Sequence, residues 1–238
     1  IIYIFAAFVG FCTVAPFIYV IAGSFATEKE LAEKAFFLIP SEISLNAYRY
    51  IISIGTVFRG LRNSLFVTFS ATFINMLFTA TFAYPLSKKD LRGRNGILNL
   101  IIITMLFSGG MIPNFILVKG LGFYNTYWAL TIPGAINAFN LIIVKNFFEN
   151  IPAELEEAAT IDGCSDLKTF CSIVLPLSKP VLASIGLFYA VGHWNDYFNA
   201  MIYLQDNHKF TVQIILRQIV ILAQGISPSG EMIDYGMA

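Results

Sequence analysis

Charge is scarce in this sequence of 238 residues. Charged residues make up only 13% of it and hydrophobic residues 57%, whereas soluble proteins are about a quarter charged. The 15 basic and 15 acidic residues balance, so no basic excess points to nucleic acid or to an anionic lipid surface, and we expect no nucleic-acid partner. Long apolar runs make up much of the sequence, which indicates a protein embedded in membrane lipid.

Cysteine, histidine and nucleotide-binding motifs are rare or absent. The three cysteines, Cys12, Cys164 and Cys171, follow no disulfide pattern, and we interpret them as packing residues. The two histidines, His193 and His208, form no HExxH motif, so we expect no metal site. No GxxxxGK[ST] loop occurs, and we therefore expect that this chain binds neither ATP nor another cofactor by itself.

The apolar runs predict a single all-α domain of membrane-spanning helices over residues 1–238. A helix needs about 20 apolar residues to cross a hydrocarbon core of about 30 Å. The runs of sufficient length cover residues 1–24, 63–86, 97–118, 127–148 and 181–204. Because the sequence begins inside an apolar run and stops after a polar segment, we expect a complete protein to continue at both ends and to include a final span.

The loops between these runs predict the orientation of the chain. Residues 88–96 include four basic side chains, and the positive-inside rule places this loop in the cytoplasm. Alternation of the spans then places residues 150–180 on the same side. Within the third run, residues 108–110 read Ser-Gly-Gly and predict a broken helix, since glycines at membrane depth free backbone groups that need partners.

The segment 150–180 is a polar stretch between two apolar blocks, and it predicts a helix–turn–helix hairpin. Pro152 suits the first helical position, because proline has no N–H to donate and its φ is already helical. Glu154 and Glu157 follow in the first turns, where the positive end of the helix dipole favours acidic residues.

The turn and the second helix of this hairpin are also readable from the sequence. Gly163 suits the left-handed residue that closes the first helix, and Ser165 or the next residue can cap the second. One apolar stripe is predicted along the second helix, at Leu167, Phe170, Cys171 and Val174. Pro176 and Pro180 are predicted to end it.

The hairpin contains a motif with fixed offsets. Glu157-Ala158-Ala159 is followed after three residues by Gly163, and after nine more by Ile173-Val174-Leu175-Pro176. This pattern resembles the EAA loop of binding-protein-dependent ABC importer permeases. The surrounding sequence, from Ser108 to Asn195, is similar to carbohydrate-uptake permeases, and most similar to those that import oligosaccharides and polysaccharide fragments. The resemblance covers nearly the whole chain.

The resemblance implies the fold of a type I ABC importer permease (the MetI-like class) and a conformational rather than a catalytic role. In the family the partners are a second homologous permease, two ATPase subunits that hold ATP and Mg, and an extracellular solute-binding protein. The substrate implied is an oligosaccharide, and the location is the bacterial cytoplasmic (inner) membrane, which the protein crosses several times. Contacts with the ATPase are implied for Glu154, Glu157, Ala158, Ala159, Asp162, Gly163, Leu175 and Pro176.

The loop after the last span has two interpretations. In maltose-type relatives the equivalent of residues 205–234 reaches into the binding protein. By that resemblance Ser227 and Ser229, in a turn-prone stretch, are expected to contact the binding protein. The alternative is a passive connector.

Polar residues inside the predicted spans suggest a solute path. In the second span they recur at helical spacing, at Ser64, Thr68, Thr72, Asn75 and Thr79, and such a face either lines a path or packs against another helix. In the last span Asn195 and Asn199 are four residues apart, which predicts one shared helical face. Asp196 is costly in a bilayer unless it faces a cavity or a partner, and helix capping is the alternative. The residues predicted for the path are Asn75, Asn137, Tyr189, His193, Asn195, Asp196 and Asn199.

Two other classes of function fit parts of the sequence. A proton-coupled secondary transporter could use Asp196 and His193 as proton carriers. An intramembrane serine protease could pair His193 with Ser227, although Ser227 lies in a polar loop and follows the histidine in the chain. Aromatic and amide side chains suit binding of sugars, but they do not distinguish neutral oligosaccharides from uronates.

Overall fold

The computed structural model describes residues 2–34 and 36–223, and all regular secondary structure within these ranges is helical. This agrees with the predicted all-α class. The described residues divide into two compact units, one that ends at Phe58 and one that begins at Arg59. The second unit contains the predicted hairpin and the residues predicted for the solute path.

The first unit consists of one long helix and two short ones, α1 (Ile2–Ser24), α2 (Glu28–Glu33) and α3 (Asn46–Ile54). α1 is apolar and largely exposed, which suits a helix surrounded by lipid. α2 begins after Thr27, whose hydroxyl accepts a hydrogen bond from the backbone N–H of Glu30. The buried Glu30 carboxylate accepts from Lys34 Nζ and from the backbone N–H of Ser41, and thereby fixes the segment after α2.

The second unit is arranged around α4 (Thr56–Ser87), which belongs to this unit from Arg59 onward. Its other helices are α5 (Arg94–Leu106), α6 (Met111–Gly120), α7 (Trp128–Thr131), α8 (Ala138–Glu149), α9 (Ala153–Ile161), α10 (Asp166–Thr169), α11 (Leu175–Leu177), α12 (Lys179–Asn195), α13 (Phe198–Tyr203) and α14 (Val212–Ala223). A π-helical turn, Phe170–Val174, joins α10 to α11, and a 3₁₀ turn, Asn207–Lys209, precedes α14.

Small residues recur on the buried face of α4, at Gly60, Ser64, Ala71, Ala80 and Ala83. Small side chains allow neighbouring helices to approach closely. The approach is tightest at Gly60, where an added Cβ would lie 3.2 Å from the Cα of Val212 and against the side chain of Ile215. Ser64 Oγ accepts a hydrogen bond of 2.9 Å from the backbone N–H of Val212, so the first turn of α14 is attached to α4.

Two separate apolar cores lie along α4. One core joins the C-terminal half of α4 to α8, the π turn and α12, and includes Ala83, Leu86, Val144, Phe148, Val174 and Ile185. The other joins the N-terminal half of α4 to α6, α7, α13 and α14, and includes Val67, Val118, Leu130, Ala200, Leu204 and Ile214. Between these two groups, α4 carries the buried polar residues Asn75 and Thr79.

The number of membrane crossings stays a prediction. By length and composition, α1 and α4 are each long and apolar enough to cross a membrane, and they cover the predicted spans 1–24 (from Ile2) and 63–86. Up to four crossings result if each of two bent helix pairs in the described part counts as one span. These pairs are α5 with α6, and residues 166–177 with α12.

The other predicted spans are interrupted. The span 97–118 bends by 116° between α5 and α6, where Gly110 has a φ of +84°, in agreement with the predicted break. The span 127–148 is interrupted between α7 and α8, where Pro133 has no N–H for a helical hydrogen bond. The span 181–204 is interrupted after α12 at Asp196. A single run of apolar residues does not reveal the last two breaks.

The hairpin 150–180 has the predicted turn. Gly163 adopts a φ of +76°, and Ser165 Oγ accepts a hydrogen bond of 3.4 Å from the backbone N–H of Lys168 at the start of α10. Pro152 differs from the prediction by one position, because it precedes α9 as its cap instead of forming the first helical residue.

The second half of the hairpin follows the prediction in part. The predicted end at the two prolines is confirmed, because the helical path through the π turn ends at Leu177, one residue past Pro176, with a bend of 81° before α12. Pro180 lies in the first turn of α12. Proline is tolerated there because first-turn N–H groups have no helical partner. Of the predicted stripe, Phe170 and Val174 are buried, whereas Leu167 and Cys171 are exposed.

Candidate functional site

Asn75 and Thr79 are the buried polar residues at the middle of α4, with 1% and 0% of their surface exposed. They lie four residues apart and therefore on one face of the helix. An amide or hydroxyl buried without hydrogen bonds costs free energy, so both side chains need partners. The partners come from α12 and from the chain between α7 and α8.

Tyr189 of α12 supplies the first of these partners. Its Oη lies 2.8 Å from Thr79 Oγ1 and accepts a hydrogen bond of 3.0 Å from the backbone N–H of Asn137. Asn137 in turn caps α8, since its Oδ1 accepts from the backbone N–H of Asn140 at 3.1 Å. One phenol group thus connects α4, α12 and the start of α8.

Asn75 is held by two further groups. Its Nδ2 donates to the backbone carbonyl of Gly134 at 3.3 Å and lies 3.1 Å from Nε2 of His193. Its Oδ1 is buried and has no hydrogen-bond partner among the residues that the structure describes. An acceptor in this position can receive a hydrogen bond from water or from a solute hydroxyl.

These groups border a cavity of about 400 Å³. Its lining consists of Asn75, Gly134, Asn137, Asn140, Phe188, Tyr189, Gly192, His193, Asp196 and Asn199. Every residue predicted for the path lines it except Asn195, whose side chain is exposed and donates to the Val191 carbonyl at 3.0 Å. The prediction extended helical spacing from Asn195 to Asn199, but α12 ends at Asn195 and the spacing does not continue.

Asp196 both caps a helix and faces the cavity, which are the two roles that the sequence left open. Its Oδ1 accepts a hydrogen bond of 3.1 Å from the backbone N–H of Asn199 at the start of α13, and its carboxylate also accepts from Asn199 Nδ2. The carboxylate therefore stabilises the N-terminus of α13. The same residue borders the cavity.

Several lining residues were missed by the sequence prediction of the path. Asn140 lies one helical turn after Asn137, and that spacing could have identified it. Gly134, Phe188 and Gly192 carry no chemical signal that distinguishes them from other residues of an apolar span. The lining as a whole offers amides, a phenol, an imidazole and one aromatic face, which can donate and accept hydrogen bonds with hydroxyl groups.

The hairpin forms a second candidate site. Among the residues predicted to contact an ATPase, Ala159 is buried and Leu175 is half-buried, while Glu154, Glu157, Ala158, Asp162, Gly163 and Pro176 are exposed. The backbone N–H of Cys164 bonds to the Ala159 carbonyl at 2.9 Å and closes the turn. Ile161 is 86% exposed beside this turn, and an exposed apolar side chain there suits a protein contact. Ser227 and Ser229 lie outside the described residues.

An ion pair attaches the hairpin to the loop after α4. Lys88 Nζ pairs with the Glu156 carboxylate of α9 and also lies 4.6 Å from the ring centroid of Tyr84. Partial burial lowers the pKa of Lys88, while the nearby charges of Asp166 and Asp90 act in the opposite direction.

A second charged cluster lies where α8 leads into the hairpin. Arg94 Nη2 donates to Glu149 Oε2 at 2.8 Å, and Arg94 Nε donates to the Leu86 carbonyl at 2.9 Å. Lys145 pairs with the same Glu149 carboxylate. This cluster could not be inferred from the sequence, because Arg94 and Glu149 lie 55 residues apart.

Residues 51–227 match the family described as "Binding-protein-dependent transport system inner membrane component". This match confirms the resemblance inferred from the hairpin motif.

Two proteins of Bacillus subtilis (strain 168) are similar over 223 residues, which is 94% of this chain. "Protein LplC" is 53% identical, with 76% of its length covered. "Polygalacturonan/rhamnogalacturonan transport system permease protein YtcP" is 54% identical, with 77% of its length covered.

A solved structure is similar as well, a chain from the "Crystal structure of a bacterial ABC transporter involved in the import of the acidic polysaccharide alginate". The TM-score is 0.90 at 32% identity, over 95% of this chain and 81% of that one. At this similarity the arrangement of helices described above is shared with a chain of an importer.

Proposed function

This chain belongs to the family of binding-protein-dependent transport system inner membrane components, and we propose that it forms one half of the path through which an importer moves an oligosaccharide into the cell. The proposed partners are a second permease, two ATPase subunits and an extracellular solute-binding protein. ATP and Mg belong to the ATPase subunits in this proposal, and the membrane is the bacterial cytoplasmic membrane. Similarity to a polygalacturonan/rhamnogalacturonan permease and to a chain of an alginate importer supports a carbohydrate substrate.

The observation that carries the proposal is the polar cavity. It brings amide, phenol and imidazole groups from α4, α8 and α12 together between two apolar cores. Polar groups at membrane depth are costly unless they bond to one another or to water and solute. The buried Oδ1 of Asn75, which has no partner within the described part of the chain, is one acceptor that a sugar hydroxyl can satisfy.

The hairpin is the proposed receiver of force from the ATPase. Its acidic first helix, its exposed turn at Gly163 and the apolar Ile161 together form a surface suited to docking on another protein. Family membership favours this importer mechanism over a proton-coupled transporter or an intramembrane protease.

A pair of matched variants tests the path. Asn199 lines the cavity and Asn195 does not, although both are exposed asparagines near the end of α12. The complete complex is reconstituted in proteoliposomes, and ATP-dependent uptake is measured with neutral and uronate oligosaccharides. We expect Asn199→Leu to lower uptake about fivefold or more, in the range of common coupling effects, and Asn195→Leu to retain it.

Uptake that is equal in the two variants would remove the cavity from the path. Absence of ATP-dependent uptake of every saccharide by the wild-type complex, with hydrolysis that responds to a different class of solute, would overturn the carbohydrate proposal. The saccharide that is transported also decides between neutral and acidic substrates.

A further inference from the structure

The charged cluster at the end of α8 has a geometry that joins three helices through one side chain. Arg94 is the first residue of α5, and its side chain is 16% exposed. Its Nη2 bonds to Glu149, the last residue of α8, and its Nε bonds to the carbonyl of Leu86 in the last turn of α4. The guanidinium group is planar and has several donors, so it can hold two acceptors in fixed directions at once.

The two cations of the cluster differ in what they connect. Lys145 pairs with Glu149 from one turn earlier in the same helix, and it also donates to its neighbour Asn146. Among residues 2–34 and 36–223 its bonds stay within α8, so it neutralises the carboxylate without linking α8 to another helix. Arg94 is the member of the cluster that links helices, since its side chain on α5 donates hydrogen bonds to α8 and to α4.

The position of the cluster relates the two candidate sites. Glu149 lies four residues before α9 begins at Ala153, so α8 ends directly at the hairpin. Leu86 lies 11 residues after the cavity residue Asn75, which places the cavity roughly 16 Å along the same helix. The ion pair between Lys88 and Glu156 of α9 is a second attachment, which holds the hairpin to the loop after α4.

We propose that Arg94 is a positioning residue that makes α4, and with it the cavity residue Asn75, follow movements of the hairpin 150–180. This inference rests on the proposed function and adds a specific link to it. The bond from Arg94 Nε to the Leu86 carbonyl transmits displacement of α8 to α4. When this bond is lost, ATP hydrolysis continues but no longer drives the movement of α4 that transport requires.

The experiment compares three variants in the reconstituted complex with its binding protein and a transported saccharide. Arg94→Lys keeps the positive charge beside Glu149 but cannot hold both acceptors in the same geometry. Glu149→Gln removes the carboxylate. Lys145→Met is the matched control, because it removes the cation that does not connect helices. The measured quantity is saccharide imported per ATP hydrolysed, together with assembly and thermal stability of the complex.

We expect Arg94→Lys and Glu149→Gln to lower import per ATP about fivefold or more, while Lys145→Met changes stability but not this ratio. A wild-type ratio for Arg94→Lys would overturn the proposal, as would an equal loss in Lys145→Met. Failure of Arg94→Lys and Glu149→Gln to assemble would also overturn it, since the cluster would then be a requirement of folding. A wild-type complex without ATP-dependent import would instead contradict the proposed function.

Discussion

The hydroxyl of Tyr189 lies 2.8 Å from the hydroxyl of Thr79, although the two residues are 110 positions apart in the chain. Tyr189 belongs to the first apolar core and at the same time borders the polar cavity. A change at Tyr189 is therefore expected to affect both the packing of the core and the shape of the candidate path.

Tyr189→Phe is expected to destabilise the protein and to reduce uptake. The change keeps the ring but leaves the buried Thr79 hydroxyl and the backbone N–H of Asn137 without their partner, at a cost of about 1–3 kcal/mol. Thermal unfolding of the purified complex measures the effect. Tyr3→Phe, at a position that is 90% exposed in α1, is the control and should unfold at the wild-type temperature.

Gly163→Val is expected to weaken coupling through the hairpin. The φ of +76° at this position is strained for residues with a Cβ, by about 1–2 kcal/mol, and β-branched residues tolerate it least. Import per ATP hydrolysed should fall in the valine variant and largely recover in Gly163→Asn, because asparagine tolerates the left-handed region. Gly96→Ala is the control, since this glycine of α5 has open space around it. Equal ratios in the valine and asparagine variants would show that the backbone conformation of the turn is unimportant.

Gly60→Ala is expected to loosen α14 from α4. The new Cβ would meet the side chain of Ile215 and the backbone of Val212, and overpacking of this kind costs about 1–3 kcal/mol. Gly186→Ala is the matched control, because among the described residues its Cβ would meet only the Met76 side chain, at ordinary distances of 3.8 Å (Sδ) and 3.9 Å (Cγ). Thermal unfolding should distinguish the two variants; equal midpoints would mean that α14 does not rely on this close approach.

Glu30 is expected to make the first unit sensitive to acid. The hydrogen bond from Lys34, aided by those from Ser41, lowers the pKa of Glu30 from 4.5 to about 2. A carboxylate with a lowered folded-state pKa contributes stability that is complete above the unfolded value and is lost as the pH falls through the folded value. The contribution should therefore decline between pH 4.5 and about 2.

Hydrogen exchange of residues 36–44 at several pH values measures this contribution, after correction for intrinsic rates. Glu30→Gln should abolish the acid-dependent part, and Lys34→Met should reduce it, because Lys34 provides the largest of the stabilising bonds. A slope in Glu30→Gln that matches the wild type would assign the acid sensitivity to another group.

Local features of the sequence were enough to predict part of this structure. The turn at Gly163 follows from one residue type and its neighbours, and the polar face of α4 follows from helical spacing. Both depend on interactions within one turn or one helix. The same spacing rule was wrong at Asn195, because it assumes that the helix continues.

Contacts between distant segments could not be predicted in the same way. The bond between Tyr189 and Asn137 spans 52 positions and that between Arg94 and Glu149 spans 55. A single sequence gives the types of these residues but not the packing that brings them together. The break at Pro133 belongs to the same group, since the carbonyl of the neighbouring Gly134 finds its partner in Asn75, 59 positions away.

The residues around the cavity form a polar layer between the two apolar cores, and this arrangement limits which residues can change when such a permease adapts to a new substrate. Free energy of packing resides mainly in the cores, and exposed side chains of the layer contribute little to it. Asn199 and the 59% exposed Phe188 can therefore be exchanged to suit a different sugar at small cost in stability. Thr79 and Tyr189 are tied to the fold and leave much less freedom, so adaptation to new saccharides is expected to concentrate at the rim of the cavity.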